Sequence, residues 1–234
     1  MNRLDEVSAS LPADTPGVLS RVFDELDIMH TWRGWHWWPG TDPFEVCVGA
    51  ILVQNASWTN VERALETLRR AGKLEHAAMA ACSATELEDL VRSSGQFRQK
   101  ARKLRAFLDL VERCGSLEAL LGQPADELRA ALLATWGIGP ETADAIILYA
   151  AHQPAFAVDA YAVRIFSRLG LGPGPSASYD DWQRYFTRNL ARDVQSWSKY
   201  RALIVLHAKH LCRKRQPRCT ACRLRTVCHG PGGP

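Results

Sequence analysis

Residues 128–149, LRAALLATWGIGPETADAIILY, decide the fold class of this chain. Apolar residues recur at helical spacing on both sides of the tetrapeptide WGIG (residues 136–139), which indicates two helices joined by a tight turn. Its two glycines permit positive φ and a close approach of the backbone. Pro140 stands where a first-turn proline belongs, so the second helix presents unpaired N–H groups at the turn. We predict a helix-hairpin-helix that grips one phosphate of a nucleic acid, with Gly137, Ile138 and Gly139 as its contact residues.

The same helical spacing of apolar residues recurs over the rest of the chain, for instance in residues 18–26 and 104–111,. No segment shows the two-residue alternation of a half-buried strand. Ser83 and Glu86 have the spacing of a capping box, and Ser116 can begin a further helix. We therefore predict an all-α protein.

Composition and charge narrow the class of protein. The chain has 234 residues, 47% of them hydrophobic and 23% charged, which fits one or two compact domains and excludes disordered and collagen-like chains,. Residues 1–97 carry 8 basic and 14 acidic residues, whereas residues 98–234 carry 21 and 11. This asymmetry favours nucleic-acid contact by the second half over membrane contact or a merely solvated basic face. The N-terminus lacks a signal sequence, and the apolar run at 46–53 is too short for a bilayer, so we expect a cytoplasmic protein without membrane contact.

Four cysteines crowd the C-terminal part of the chain with the spacing C-x6-C-x2-C-x5-C: Cys212, Cys219, Cys222 and Cys228. A cytosolic chain is an unlikely place for a disulfide framework, so the crowding indicates a metal site. Zinc sites usually consist of two short cysteine pairs, and only one such pair is present here. We favour a [4Fe–4S] cluster, with zinc and unligated thiols as the alternatives.

The loop that holds these cysteines carries six basic residues and no acidic one: Arg213, Lys214, Arg215, Arg218, Arg223 and Arg225. A metal cluster that fixes the loop would also fix these cations, which lowers the entropy lost when they meet phosphates. We predict that Arg213 and Arg215 contact DNA. The alternative is that the cations only offset the negative charge of a thiolate-bound cluster.

Two further features carry chemistry. Four of the eight tryptophans lie in residues 32–38, and Trp37 and Trp38 either pack in a core or stack on a nucleobase,. Asp159 stands at the start of an amphipathic helix, where an aspartate is usually a cap.

Four segments together resemble the endonuclease III group of helix-hairpin-helix DNA glycosylases: PFEVCVGAILVQNASW (43–58), WGIGPETADAIILYA (136–150), AVDAYAVRIFSRLG (157–170) and LHAKHLCRKRQPRCTACRLRTVC (206–228). The branch that includes bacterial 3-methyladenine glycosylases is the most similar. Its founding alkylpurine enzymes lack the cysteine cluster that this chain keeps.

The resemblance implies two helical domains that flank a DNA-binding cleft. Residues 43–153 would form a six-helix barrel with the hairpin, and residues 1–42 with 154–234 would form a domain whose loop, 212–228, binds a [4Fe–4S] cluster. Asp159 matches the catalytic aspartate, and Gln54 matches the glutamine that fills the gap left by a flipped nucleotide. Trp37, Trp38 and Tyr161 are the candidates for the base pocket. The expected partner is double-stranded DNA with damaged bases, bound by a monomer associated with the nucleoid.

One position departs from the pattern of the bifunctional enzymes. These have a lysine as the second residue after the last glycine of the hairpin, and this chain has Glu141. Breaking an N-glycosidic bond builds positive charge on the sugar, which an ionised Asp159 can stabilise. The lyase step needs an amine, which a carboxylate cannot supply. We therefore expect a monofunctional glycosylase, in which Glu141 either lies near the base pocket or serves only as a helix-start acid.

Two alternatives stay open. One is an oxidised-pyrimidine glycosylase of the endonuclease III type with weak activity on abasic sites, which would need another amine such as Lys209. The other is a non-catalytic binder of damaged DNA.

Overall fold

The computed structural model describes residues 15–30 and 42–231. These ranges contain twelve α-helices, three short 3-10 helices and no strand, which confirms the prediction of an all-α protein. The described residues fall into two compact units. The central unit comprises residues 42–157, and the terminal unit comprises residues 15–30 with 158–231.

The central unit contains eight α-helices: α2 (Pro43–Leu52), α3 (Trp58–Arg70), α4 (His76–Ala80), α5 (Ala84–Leu90), α6 (Phe97–Arg113), α7 (Leu117–Leu121), α8 (Ala125–Leu133) and α9 (Pro140–Tyr149). A 3-10 turn, Arg92–Ser94, joins α5 to α6. The terminal unit contains α1 (Thr15–His30), α10 (Ala160–Arg168), α11 (Tyr179–Asn189) and α12 (Val194–His210), followed by 3-10 turns at Cys219–Ala221 and Arg223–Val227.

Local chemistry explains several helix starts. The backbone N–H of Glu86 donates to Ser83 Oγ over 3.1 Å, and the N–H of Ser83 donates back to the Glu86 carboxylate, so the predicted capping box is confirmed,. Ser116 caps α7 with its hydroxyl oxygen, which accepts a hydrogen bond from the N–H of Ala119. Asp42 caps α2, whose first residue is Pro43,.

Helix α2 lies at the centre of the central unit, because every residue from Phe44 to Leu52 is buried. It packs against α3, α6 and α9, and α8 packs against α9. Apart from Glu45, which forms an ion pair with Arg69, the helix is apolar on all sides and is stable only in such a core,. Because α2 packs against α9, its C-terminal end and the residues that follow it lie next to the hairpin between α8 and α9.

The terminal unit has an aromatic core. Helix α12 packs against α1 and α10, and the rings of Phe166 and Phe186 meet edge to face with centroids 4.9 Å apart,. The buried hydroxyl of Tyr200 donates to the Leu19 carbonyl over 2.9 Å. Among the described residues, no helix has the length and apolar character that crossing a bilayer requires.

Candidate functional site

The hairpin between α8 and α9 has the local geometry that its sequence predicts. Gly137 takes a φ of +83°, in the region that favours glycine, while Ile138 packs inward and is 5% exposed,. Pro140 is the first residue of α9, and no side chain caps that helix at Gly139. The first turn of α9 therefore presents its backbone N–H groups at the turn without a capping side chain, which is the arrangement that an anion can approach,.

A buried ion pair ties the two helices of the hairpin together. Arg129 of α8 places its Nε 2.7 Å from Oδ1 of Asp144 on α9, and the Asp144 side chain is fully buried. A carboxylate without solvent needs such a partner. The pair fixes the angle at which the turn is presented.

Gln54, which follows α2, reaches the hairpin. Its Nε2 donates to the Gly137 carbonyl over 3.2 Å and to Thr142 Oγ1 over 3.0 Å. Its Oε1 accepts a hydrogen bond from the Lys103 ammonium. The stem of Lys103 also covers Gly137, since a Cβ at that glycine would lie 2.4 Å from Lys103 Cγ. The amide of Gln54 is thus held on three sides in this structure.

Glu141 lies in the first turn of α9 and is exposed. A carboxylate there complements the positive end of the helix dipole. Its chemistry is that of an acid, so it offers no amine to a sugar.

Asp159, in the terminal unit, is the N-cap of α10. Its Oδ1 accepts the backbone N–H of Ala162 over 2.8 Å, and its Oδ2 lies 3.3 Å from Nη2 of Arg201 on α12. The Asp159 side chain is 12% exposed and that of Arg201 is 6% exposed. The carboxylate is therefore fixed in orientation by two donors, while one edge of it still reaches solvent.

Of the three aromatic candidates for the base pocket, the structure describes Tyr161. Tyr161, in the first turn of α10, is partly exposed, and the guanidinium of Arg164 lies 5.1 Å from its ring centroid,. Trp37 and Trp38 lie outside the described residues.

The four clustered cysteines line one cavity in the terminal unit. Apolar side chains of Ile165, Leu169, Leu211 and Leu224 form much of its wall. Two of the sulfur atoms accept hydrogen bonds, since Arg168 donates to Cys212 Sγ over 3.2 Å and the N–H of Gly230 donates to Cys228 Sγ over 3.3 Å. Donors of this kind orient and stabilise thiolate ligands.

Burial raises the pKa of the Cys222 thiol, and the three other cysteines raise it further, so four thiolates need a cationic group among them,. In the part of the chain that the structure describes, no three His, Cys, Asp or Glu side chains are grouped closely enough to hold a metal ion. The four cysteines line the wall of the cavity.

The basic residues of the cysteine loop are not equivalent. Arg213 and Arg215 are exposed, and no carboxylate of the described residues pairs with either of them. Arg223 is different, because its guanidinium forms an ion pair with Glu25 of α1. At least one of the six basic residues of this loop is therefore paired within the protein.

Sequence reasoning missed Arg201 and Lys103. Arg201 stands directly before the apolar run ALIVL, residues 202–206. A charged residue on a buried helix usually has a buried partner. That signal could have found it. Lys103 carries no such signal, because it lies among several basic residues on α6.

Comparison with known proteins agrees with this architecture. A family model described as "HhH-GPD superfamily base excision DNA repair protein" matches residues 48–191. A protein of Methanocaldococcus jannaschii that carries the name of a DNA repair glycosylase is 41% identical over 196 residues, which are 82% of this chain and 88% of that protein.

Two solved structures are similar to this chain. The 3-methyladenine DNA glycosylase MagIII of H. pylori, bound to 1,N6-ethenoadenine, has a TM-score of 0.72 and 27% identity, and the match covers 84% of this chain and 97% of MagIII. A trapped covalent intermediate of endonuclease III with DNA has a TM-score of 0.77 and 22% identity over 91% of this chain and 95% of that one, which shows the shared fold.

An all-helical chain with a glycine hairpin thus matches repair proteins over most of its length. The chain belongs to the HhH-GPD superfamily of base excision DNA repair proteins. The predicted resemblance to endonuclease III-like DNA glycosylases is confirmed at the level of family and fold.

Proposed function

We propose that this protein is a monofunctional DNA glycosylase, which hydrolyses the N-glycosidic bond of a flipped, damaged base and leaves the strand intact. The observation that carries the proposal is the pair of carboxylates. Asp159 is held in a fixed orientation by Ala162 and Arg201, while the exposed side chain at the start of α9 is Glu141 rather than a lysine.

Asp159 has the properties that the hydrolytic step needs. Positive charge grows on the deoxyribose as the base departs, and a carboxylate that is already oriented stabilises this charge without reorganising. The same oxygen atoms can orient an attacking water. Because each carboxylate oxygen can accept more than one hydrogen bond, the bonds from Ala162 and Arg201 leave acceptor capacity on the exposed edge,.

Glu141 supports hydrolysis without lyase activity. A lyase forms a covalent imine with the opened sugar, and the reacting group must be an amine. A negative side chain in the first turn of α9 complements the positive end of the helix dipole, so its place beside the hairpin favours a role near the base or a helix-start role,.

The hairpin supports DNA as the substrate. The uncapped start of α9, with Gly137 and Gly139 beside it, can receive a backbone phosphate, and Arg213 and Arg215 add exposed positive charge elsewhere in the chain,. Gln54 is proposed to fill the gap after flipping, which requires the release of its bonds to the hairpin.

We further propose that the damaged base is a purine altered by alkylation. MagIII is a 3-methyladenine DNA glycosylase whose structure contains 1,N6-ethenoadenine, and this chain is 27% identical to it. Aromatic walls suit an electron-poor alkylpurine, and Trp37, Trp38 and Tyr161 are the residues proposed to supply them.

A [4Fe–4S] cluster is proposed for the cavity lined by Cys212, Cys219, Cys222 and Cys228. The bound cluster would hold the loop in one conformation, and the loop would present Arg213 and Arg215 to phosphates. Iron and sulfide analysis, with a visible absorbance band that is lost in Cys219→Ser, separates this cluster from zinc.

This proposal includes the two domains expected from the sequence, 43–153 and 1–42 with 154–234, and a monomer that acts in the cytoplasm on nucleoid DNA. Light scattering of the holoprotein would test the monomer.

A panel of duplexes, each with one alkylated, oxidised or mismatched base, tests the function when base loss and strand scission are scored separately. We expect base loss without scission, and loss of activity in Asp159→Asn. Trapping of an abasic duplex with borohydride would instead reveal an amine nucleophile, for which Lys209→Ala is the first variant to examine. Full base release by Asp159→Asn would refute the proposal.

A further inference from the structure

An exposed tryptophan stands directly before the hairpin. Trp136 is 48% exposed, although it is followed by Gly137 and by the buried Ile138. About half of its surface is thus open to a ligand at this position. Within the described residues, the group that covers its ring is the guanidinium of Arg102, whose Cζ lies 4.6 Å from the ring centroid.

Arg102 and Lys103 are neighbours on α6, but their charges are used differently. The Lys103 ammonium donates to Gln54, and its stem packs on Gly137. Arg102 is exposed, and among the described residues no carboxylate pairs with it. In the described part of the chain, its guanidinium is held by the Trp136 ring.

Other arginines of α6 lack this combination. Arg98 lies over the Phe97 ring but also forms an ion pair with Glu88 at 3.6 Å. Arg105 donates to the backbone carbonyls of Ala80 and Cys82, so it is used within the fold. Helix α6 also carries Arg113, but Arg102 is the arginine that stacks on the Trp136 ring next to the hairpin, and its five donors stay available there,.

A guanidinium that stacks on an aromatic ring keeps its edge donors, because the ring occupies its face. Those donors suit a phosphate, which Arg binds through two parallel hydrogen bonds. The neighbouring start of α9 attracts phosphate by itself. We propose that Arg102, oriented by Trp136, forms a second site beside the hairpin that binds a phosphate of the DNA backbone. This inference rests on the proposed function, because it takes DNA as the ligand.

Duplex binding measured by fluorescence anisotropy across salt concentrations tests the site. The probes are an undamaged duplex and the same duplex with a tetrahydrofuran abasic analogue. Each phosphate contact contributes about 0.9 to the slope of log affinity against log salt, so Arg102→Gln should lower that slope by about 0.9. When salt is raised from about 50 to about 200 mM, the fold loss of affinity of the wild type should be about 3.5 times the fold loss of the variant.

The tryptophan is tested separately. Trp136→Leu should reduce the slope in the same direction, and adding it to Arg102→Gln should bring little further change, because both substitutions remove one site. Trp136→Phe keeps a ring face and should stay close to the wild type. Melting temperature, measured for each variant, identifies a change that comes from the fold.

Arg70→Gln is the matched control, since Arg70 has a side chain 79% exposed and pairs with Glu66 on α3. It removes one positive charge from the same unit and should leave the slope unchanged. A wild-type slope in folded Arg102→Gln would overturn the site, and so would an equal decrease in Arg70→Gln. Neither result depends on catalysis, whereas a protein that binds these duplexes but releases no base would refute the proposed function alone.

Discussion

Substitutions at the two hairpin glycines should affect different properties: stability at Gly137 and DNA binding at Gly139. Gly139 has a φ of −93°, and a Cβ built there meets no atom within 4 Å, so the fold has room for alanine. Gly137 has a φ of +83° and a Cβ that would meet Lys103 at 2.4 Å. Only Gly137 is required by the protein itself.

Gly139→Ala is expected to leave stability almost unchanged. Alanine is a poorer N-cap than glycine by roughly 0.5–1 kcal/mol. It also restricts the unfolded chain, which returns about 0.4–1 kcal/mol. The net change in the free energy of unfolding should stay within about 0.5 kcal/mol, or about 2 °C in melting temperature.

DNA binding should respond in the opposite way. A methyl group on Gly139 would lie where a phosphate must approach the N–H groups of α9, and a hydrogen bond to a charged group contributes about 1.5–3 kcal/mol. Duplex affinity should fall about tenfold to a hundredfold. Anisotropy with the abasic duplex, together with thermal denaturation, measures both quantities.

Gly137→Ala is the contrasting variant, and its strained backbone should lower stability by about 1–3 kcal/mol. The reasoning is refuted if Gly139→Ala binds the duplex as the wild type does, because the hairpin would then not approach a phosphate closely. It is also refuted if the two variants lose equal stability.

Three other substitutions have expected outcomes. Arg201→Leu leaves the Asp159 carboxylate buried without its ion-pair partner, which should lower the free energy of unfolding by about 3 kcal/mol and slow single-turnover base release; an unchanged melting curve would contradict the pairing. Gln54→Leu loses the bonds to the hairpin, so it should reduce stability by about 1–3 kcal/mol in urea denaturation, and an unchanged midpoint would contradict the role of these bonds in the fold,. Burial lowers the pKa of Lys100 from 10.5 to about 8, so the unfolded chain holds this proton more tightly than the folded protein does. The free energy of unfolding should therefore rise with pH between about 8 and 10.5,. Lys100→Met should abolish this rise, which denaturation at several pH values measures.

The sequence predicted the parts of this site that depend on local geometry. Gly137, Pro140 and the capping box at Ser83 follow from backbone rules that act over a few residues,. The gathering of the four cysteines around one cavity follows from their spacing within a single loop.

The contacts that orient the candidate residues were beyond such reasoning. Arg201 and Asp159 are 42 residues apart, and Lys103 and Gln54 are 49 apart. Helical periodicity tells which face of α6 or α12 is buried, but the partner across the interface depends on how the helices pack. Basic residues are frequent on α6, so nothing in its sequence distinguished Arg102 and Lys103 from Arg98.

The use of Asp159 as a helix cap does not compete with its proposed catalytic role. Capping occupies one oxygen with the N–H of Ala162, and Arg201 fixes the other, so the folding contacts hold the carboxylate in the single orientation that an electrostatic catalyst needs,. Asparagine caps a helix as well as aspartate does. A folded Asp159→Asn protein therefore removes the negative charge while it keeps the start of α10, and loss of base release in that protein reports the charge and not the cap.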